Sequence, residues 1–170
     1  MMISILGYMG SGKTHISKLL SDKLEFEFLD LDKIIAKKNK LTLPEIFEKK
    51  GEIFFRKQER EVLEEILASK SDAVLSLGGG TPCYYNNMEV INQNSLSFFL
   101  RTSVPVLAER LIRQKQKRPL IANIADEDIP EFVAKHLFER NAFYSKAQFI
   151  VDTTGKEPEA VVEEITSKLL

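Results

Sequence analysis

At 170 residues, 44% of them hydrophobic and 29% charged, the chain is the size of one domain with a core that needs no covalent staples, and it is too apolar to be disordered. A formal net charge of −1 gives no global attraction for nucleic acid or an anionic membrane, so any anion site must be local. The single cysteine, Cys83, excludes an intrachain disulfide framework and a cysteine zinc cluster, and it fits a reducing cytoplasm.

Met2 to Leu6 is a short apolar run of strand length, and the chain enters it directly with no signal peptide. Gly7-Tyr8-Met9-Gly10-Ser11-Gly12-Lys13-Thr14 follows and fits G-x-x-x-x-G-K-T. A helix from about Lys13 to Leu24 then places Ile16, Leu19, Leu20 and Leu24 on one face. Strand, glycine loop and helix in that order are the context of the phosphate-binding Walker A loop. Glycines let the backbone turn tightly and aim its N–H groups at a phosphate, and the helix adds its positive end. The ATP-binding stretch is therefore Gly10, Ser11, Gly12, Lys13, Thr14 and the adjoining His15, a spectator in the chemistry. Lys13 reaches the β- and γ-phosphates and Thr14 ligates Mg²⁺. The bland alternative, a glycine turn with an exposed lysine, leaves that full pattern unexplained.

Phe26 to Leu29 alternates like a short strand and ends at Asp30-Leu31-Asp32, with a helix expected through Lys33–Lys37. Asp30 and Asp32 stand two residues apart at the strand's end, one carboxylate read as serving a metal and the other a phosphoryl acceptor. Capping the next helix is the rival use. Thr42-Leu43-Pro44-Glu45 is a capping box that opens a short helix, which Gly51 stops. A second helix runs from about Glu52 to Ala68 with Phe55, Val62, Leu63, Ile66 and Leu67 on its apolar face. On it Arg56 has Glu52 and Glu59 at salt-bridge spacing and would pass for a surface pair.

Ala73 to Leu77 is a buried-type strand ending at Gly78-Gly79-Gly80, where three glycines in a row permit close backbone approach to a ligand. Leu96 to Leu100 is the next strand and Val104 to Gln114 the next helix. The basic run Arg110, Arg113, Lys115, Lys117, Arg118 fits a solvated face, a nucleic-acid patch or a mobile flap over ATP, and by pattern alone the solvated face is the commonest of these. The segment 112–125 is polar, is interrupted by Pro119, and lacks the apolar periodicity needed to dock firmly. A helix from about Ile129 to Ser145 presents Phe132, Val133, Leu137 and Phe138, and its His136 has no metal-ligand partner at helix spacing. Phe149 to Val151 is the last strand, and Pro158 opens a last helix to Leu170. Strands alternating with helices imply an α/β fold: a five-stranded parallel sheet with helices on both faces and ligands at the strands' carboxyl ends.

Several further pieces stand in order behind the Walker loop. They are Phe28-Leu29-Asp30-Leu31-Asp32, Ile46-Phe47, Gly51 to Arg56 with Glu59, Leu77 to Gly80, Arg118-Pro119-Leu120, and Arg140 with Tyr144 and Ala147. In that order and spacing the chain resembles the shikimate kinases nearly end to end. The resemblance implies a P-loop NTPase of nucleoside-monophosphate-kinase type, a single kinase domain over 1–170, with a substrate-binding helical segment at about 31–60 and a lid at about 112–125. It implies ATP-dependent phosphorylation of the 3-hydroxyl of shikimate, giving shikimate 3-phosphate and ADP in aromatic amino acid biosynthesis. Lys13, Asp32 and Arg118 would be catalytic, and Asp30 would support Mg²⁺ with Thr14. Arg56 and Arg140 would bind the shikimate carboxylate, Gly78, Gly79 and Gly80 would offer backbone, and Phe47 and Phe55 would wall the acceptor pocket. Arg118 would close with the lid. Between Arg110 and Arg113, Arg113 is assigned to the adenine face, with further adenine contact near Thr153 to Pro158. The rivals are another small P-loop kinase, such as a gluconate kinase, and a nucleotide-dependent switch module. A monomeric cytoplasmic enzyme is expected, with shikimate, ATP and ADP as partners and neither nucleic acid nor membrane among them.

Overall fold

The computed structural model describes residues 1–169. Five strands form one sheet: β1 (Met2–Leu6), β2 (Glu27–Asp30), β3 (Ala73–Ser76), β4 (Leu96–Arg101) and β5 (Phe149–Asp152). Their order is β2-β3-β1-β4-β5 and every neighbouring pair is parallel. Seven helices connect and cover them: α1 (Lys13–Leu24), α2 (Leu31–Asn39), α3 (Leu43–Ala68), α4 (Asn87–Asn94), α5 (Val104–Arg113), α6 (Ile129–Tyr144) and α7 (Pro158–Ser167). The five-stranded parallel sheet with helices on both faces is thus the expected architecture.

The period-two alternation of β1 divides the core in two. Ile3 and Ile5 pack with Ile16 and Leu20 of α1 and with Val161, Val162 and Ile165 of α7. Met2 and Leu6 face the other way, into a larger cluster that draws on α2 to α6. All five residues of β1 are buried, which is why this strand reads as an unbroken apolar run rather than an alternating one. Because β1 is central, the loop that follows it emerges in the middle of the sheet's carboxyl edge, between the ends of β3 and β4.

The differences from expectation have local causes. Helix α2 starts at Leu31, two residues before the expected start, because Asp30 caps it: its Oδ1 accepts from Lys33 N at 3.2 Å. Strand geometry therefore ends before Asp32, and the two carboxylates are not related by strand alternation. Helix α3 carries the capping box of Thr42 and Glu45, and it breaks at Gly51, whose φ of 87° and ψ of 168° an L side chain rarely adopts. Helix α4 lies in a stretch for which the pattern predicts no element. Phe138 is 84% exposed, so of the expected apolar face of α6 it alone turns outward, while Val133 and Leu137 are buried and Phe132 packs on the core in part. The segment 112–125 is anchored after all: Ile121 is fully buried in the larger core, with Ile112 and Ile124 packed against it. Helix α7 ends at Ser167, and the expected Leu170 end lies outside the described residues. No helix among the described residues is long and apolar enough to cross a membrane.

Candidate active site

A cavity of about 630 Å³ opens at the carboxyl edge of the sheet, floored by the glycine loop and the start of α1. Gly12 is the N-cap of α1 with φ 94°, the left-handed turn that swings the chain from loop into helix. Gly10, Ser11, Gly12, Lys13, Thr14 and His15 all line the cavity. Lys13 is folded back on its own loop, donating to Gly7 O at 2.8 Å and to Tyr8 O at 3.1 Å. Burial pulls its pKa down to about 8, against the opposing pull of Asp32. Ser11 Oγ is buried with no hydrogen-bond partner, an unsatisfied polar group at the base of an anion cradle.

Asp30 and Asp32 both line the cavity, as do Gly78 and Gly79. Asp32 sits in the first turn of α2. Burial, then the nearby Glu59 and Asp30 charges, raise its pKa to about 6, while Lys13 and Arg56 pull the other way. It is therefore ionised at neutral pH yet basic enough to hold a hydroxyl proton. Asp30 uses Oδ1 to cap α2 and still presents its carboxylate to the cavity beside Thr14. Mg²⁺ takes one or two protein oxygens and completes its shell with phosphate oxygens and water, and Thr14 with Asp30 fits that demand.

The three glycines after β3 have a shared geometry. A Cβ on Gly78 would stand 2.8 Å from Asp32 Oδ1, on Gly79 3.2 Å from Arg140 Nη1, and on Gly80 2.8 Å from Arg56 Nη2. None of the three has positive φ. They are glycines because three functional side chains lie directly on the backbone, and the backbone conformation itself would accept other residues. Arg56 is held by Glu59, which is 1% exposed: Nη1 donates to Glu59 Oε1 at 2.9 Å, and Thr81 Oγ1 donates to Glu59 Oε2 at 2.8 Å. The guanidinium lies 3.9 Å from the Tyr84 ring centroid, and its Nε is buried without a hydrogen-bond partner. The Arg56 side chain is 13% exposed and its Nε lies 3.8 Å from Glu52 Oε1, so this is a largely enclosed cation rather than a solvated surface pair. Arg140 reaches the same glycines from α6; its Nη1 lies 3.4 Å from Tyr144 OH, which donates to Gly79 O at 2.5 Å.

Other expected residues divide. Arg118 lines the cavity, with Nε and Nη2 on Gln114 Oε1, and burial lowers its pKa. Arg113 does not line the cavity: it is 71% exposed and paired with Glu109, and Arg110 lines the cavity in its place, donating to Gly10 O at 2.9 Å. Arg110 and Arg113 are three residues apart, so helical spacing alone does not separate them, and the way α5 meets the loop does. Phe55 is 3% exposed in the core and Phe47, 39% exposed, packs on it with ring centroids 4.6 Å apart; neither lines the cavity. Thr153, Lys156 and Pro158 do line it, at the end where base contact was expected. Tyr8, fully buried, with its hydroxyl 2.9 Å from His136 Nδ1, had no sequence signal beyond its place in the loop.

Comparison with known proteins agrees with this arrangement. A family model described as shikimate kinase matches residues 9–170. A shikimate kinase of Flavobacterium psychrophilum is 48% identical over 164 residues, covering 96% of this chain and 95% of that protein. The crystal structure of shikimate kinase from Bacteroides thetaiotaomicron superposes with a TM-score of 0.92 at 35% identity, covering 99% of this chain and 97% of that one. The Acinetobacter baumannii shikimate kinase in complex with shikimate gives a TM-score of 0.88 at 32% identity, covering 99% of this chain and 92% of that one.

Proposed function

The chain belongs to the shikimate kinase family, and we propose that its cavity transfers the γ-phosphoryl group of ATP to the 3-hydroxyl of shikimate. The products are shikimate 3-phosphate and ADP, a step in aromatic amino acid biosynthesis. One observation carries the reading to this chain's own residues: Asp32, Arg140 and Arg56 rest on three consecutive glycines at the rim of a phosphate loop. A hydroxylated ring with a carboxylate needs that set, an acceptor for the hydroxyl and planar cationic forks for the carboxylate.

ATP lies along the loop with its phosphates on the amides at the start of α1, where the helix end favours negative charge. Lys13 leaves Gly7 O and Tyr8 O to meet the β- and γ-phosphates. Arg110, with Thr153 to Pro158, borders the base. Thr14 and Asp30 would hold Mg²⁺, which would supply charge neutralisation at the phosphates. Arg56 and Arg140 fix the carboxylate with their guanidinium forks. Asp32 accepts the hydrogen bond of the attacking 3-hydroxyl. As the new oxygen–phosphorus bond forms and the bond to ADP breaks, Asp32 takes that proton. Arg118, on the segment anchored by Ile121, adds positive charge to the phosphoryl group in flight. Segment 31–60 serves as the acceptor-binding part and 112–125 as the lid. With its one cysteine and near-neutral charge, the enzyme fits a monomer at work in the cytoplasm.

A coupled assay of ADP release tests this. Release should depend on shikimate and stay near background with gluconate or with no acceptor; release that ignores the acceptor, or prefers gluconate, overturns it.

A further inference from the structure

Three side chains of α6 stand one turn apart on the same stripe: His136, Arg140 and Tyr144. Each reaches a different part of the site. Tyr144 OH donates to Gly79 O at 2.5 Å, and Arg140 lies against Gly79. His136 meets Tyr8, the second residue of the phosphate loop, through the 2.9 Å contact of Nδ1 with the phenol and an edge-on ring contact with centroids 5.3 Å apart. Tyr8 is 1% exposed, and its own carbonyl accepts from both Lys13 Nζ and Ser11 N, each at 3.1 Å. The Arg140 guanidinium lies 5.9 Å from the Tyr8 ring centroid. Burial and the neighbouring Arg140 charge hold His136 below its ordinary pKa, which favours the neutral ring; with its proton on Nε2, Nδ1 accepts the hydrogen bond of the phenol.

We infer that Tyr8 and His136 are positioning residues, whose hydrogen bond fixes the distance between the phosphate loop and the arginine that holds the acceptor carboxylate. The phosphoryl donor sits on a loop after β1, while Arg140 sits on a helix 126 to 133 residues further along the chain. In-line transfer needs the two substrates in register to a fraction of an ångström. Val133 and Leu137 hold α6 in the larger core, and Tyr144 ties its last turn to Gly79, but neither links it to the phosphate loop. The bond from the loop's own second residue supplies that link. Neither side chain touches a reacting atom. Tyr8 acts through the loop backbone that carries Lys13, and His136 acts through the helix that carries Arg140.

This rests on the assignment of Arg140 to the acceptor carboxylate, and the experiment separates the two. Steady-state constants for both substrates are measured for wild type, Arg140→Ala, Tyr8→Phe, His136→Ala, His136→Asn and the Tyr8→Phe/His136→Ala double variant. Tyr8→Phe and His136→Ala should each raise KM for shikimate by about three- to tenfold, the scale of one neutral hydrogen bond. Both should lower kcat and leave KM for ATP in place. The double variant should match the singles, because both remove the same bond. His136→Asn keeps an acceptor near the Nδ1 position and should restore most of the loss, which a purely structural role would not require. Unchanged shikimate kinetics in both single variants, additive losses in the double, or no rescue by Asn overturns the positioning role. Unchanged shikimate KM in Arg140→Ala overturns the carboxylate assignment beneath it. If Tyr8→Phe does not fold, the Ala and Asn variants at the half-buried His136 decide the matter.

Discussion

Gly80→Ala should damage acceptor binding while leaving the protein folded. Gly80 has φ −95° and ψ −11°, which alanine adopts freely, so the backbone conformation is no obstacle. The entropy removed from the unfolded chain stabilises by roughly 0.4–1 kcal/mol. The new methyl group, however, would stand 2.8, 3.0 and 3.2 Å from Nη2, Nη1 and Cζ of Arg56. To regain ordinary contact the guanidinium must retreat by roughly 0.6 Å or more. It cannot do so and keep its partners, since Nη1 is 2.9 Å from Glu59 and the group is stacked 3.9 Å from Tyr84. The fork leaves its place, and one charge-assisted contact to the carboxylate, about 1.5–3 kcal/mol, is lost. KM for shikimate should rise about ten- to hundredfold, KM for ATP should hold, and the melting temperature should move by only a few degrees. Kinetics for both substrates beside a thermal melt make the measurement. A folded Gly80→Ala enzyme with wild-type shikimate KM would show that Arg56 does not bind the acceptor from this position.

Lys13→Met should fold normally and lose on the order of 10²–10³ in rate; a soluble variant with near-normal turnover refutes the phosphate-loop assignment. The pH profile of kcat/KM should rise through about pH 6 as Asp32 loses its proton and fall above about pH 8 as Lys13 does; an acid limb that persists in the residual activity of Asp32→Asn would contradict the first assignment. The raised pKa of Asp32 also means that the folded carboxyl keeps its proton longer than the unfolded one. Stability is then full below about pH 4 and falls by roughly 2–3 kcal/mol as pH rises through about 6. Asp32→Asn should therefore melt above wild type at pH 7, and an equal or lower melting point counts against that linkage. Arg118→Ala should lower kcat and leave shikimate affinity nearly intact. Hydrogen exchange across 112–125 should be fast on both sides of Ile121, slow at it, and slowed throughout when nucleotide and shikimate are both bound; equal protection in the free and ternary states removes the lid role.

The phosphate loop was legible because its chemistry is local: eight consecutive residues, a strand before and a helix after. The sheet was legible because fully buried parallel strands such as Val74-Leu75 and Phe98-Phe99 are short apolar runs between turn signals. The acceptor half was not legible from residue types. Arg56 looks like a surface salt bridge until Glu59 proves buried, and that depends on Thr81, 22 residues away. The triple glycine hinted at close approach without saying what approaches. Residue type does not choose between Arg110 and Arg113, and the direction of α5 toward the loop decides which one faces it. The 112–125 segment looked unanchored because one buried residue, Ile121, has no periodicity. Tyr8 and His136 are 128 residues apart, and only the folded chain brings them together.

The posture of Lys13 sets a threshold for what can occupy its loop. With Nζ on Gly7 O and Tyr8 O, the resting loop has already answered its own cation. A lone phosphate or sulfate ion must detach the lysine from two carbonyls and offers one anionic group in exchange. A triphosphate spans the whole loop, collects the helix end and the waiting arginines together, and so outbids the carbonyls where a small anion does not. The contacts that Lys13 already makes thus favour, before any lid closes, an anion long enough to replace them over one that is not.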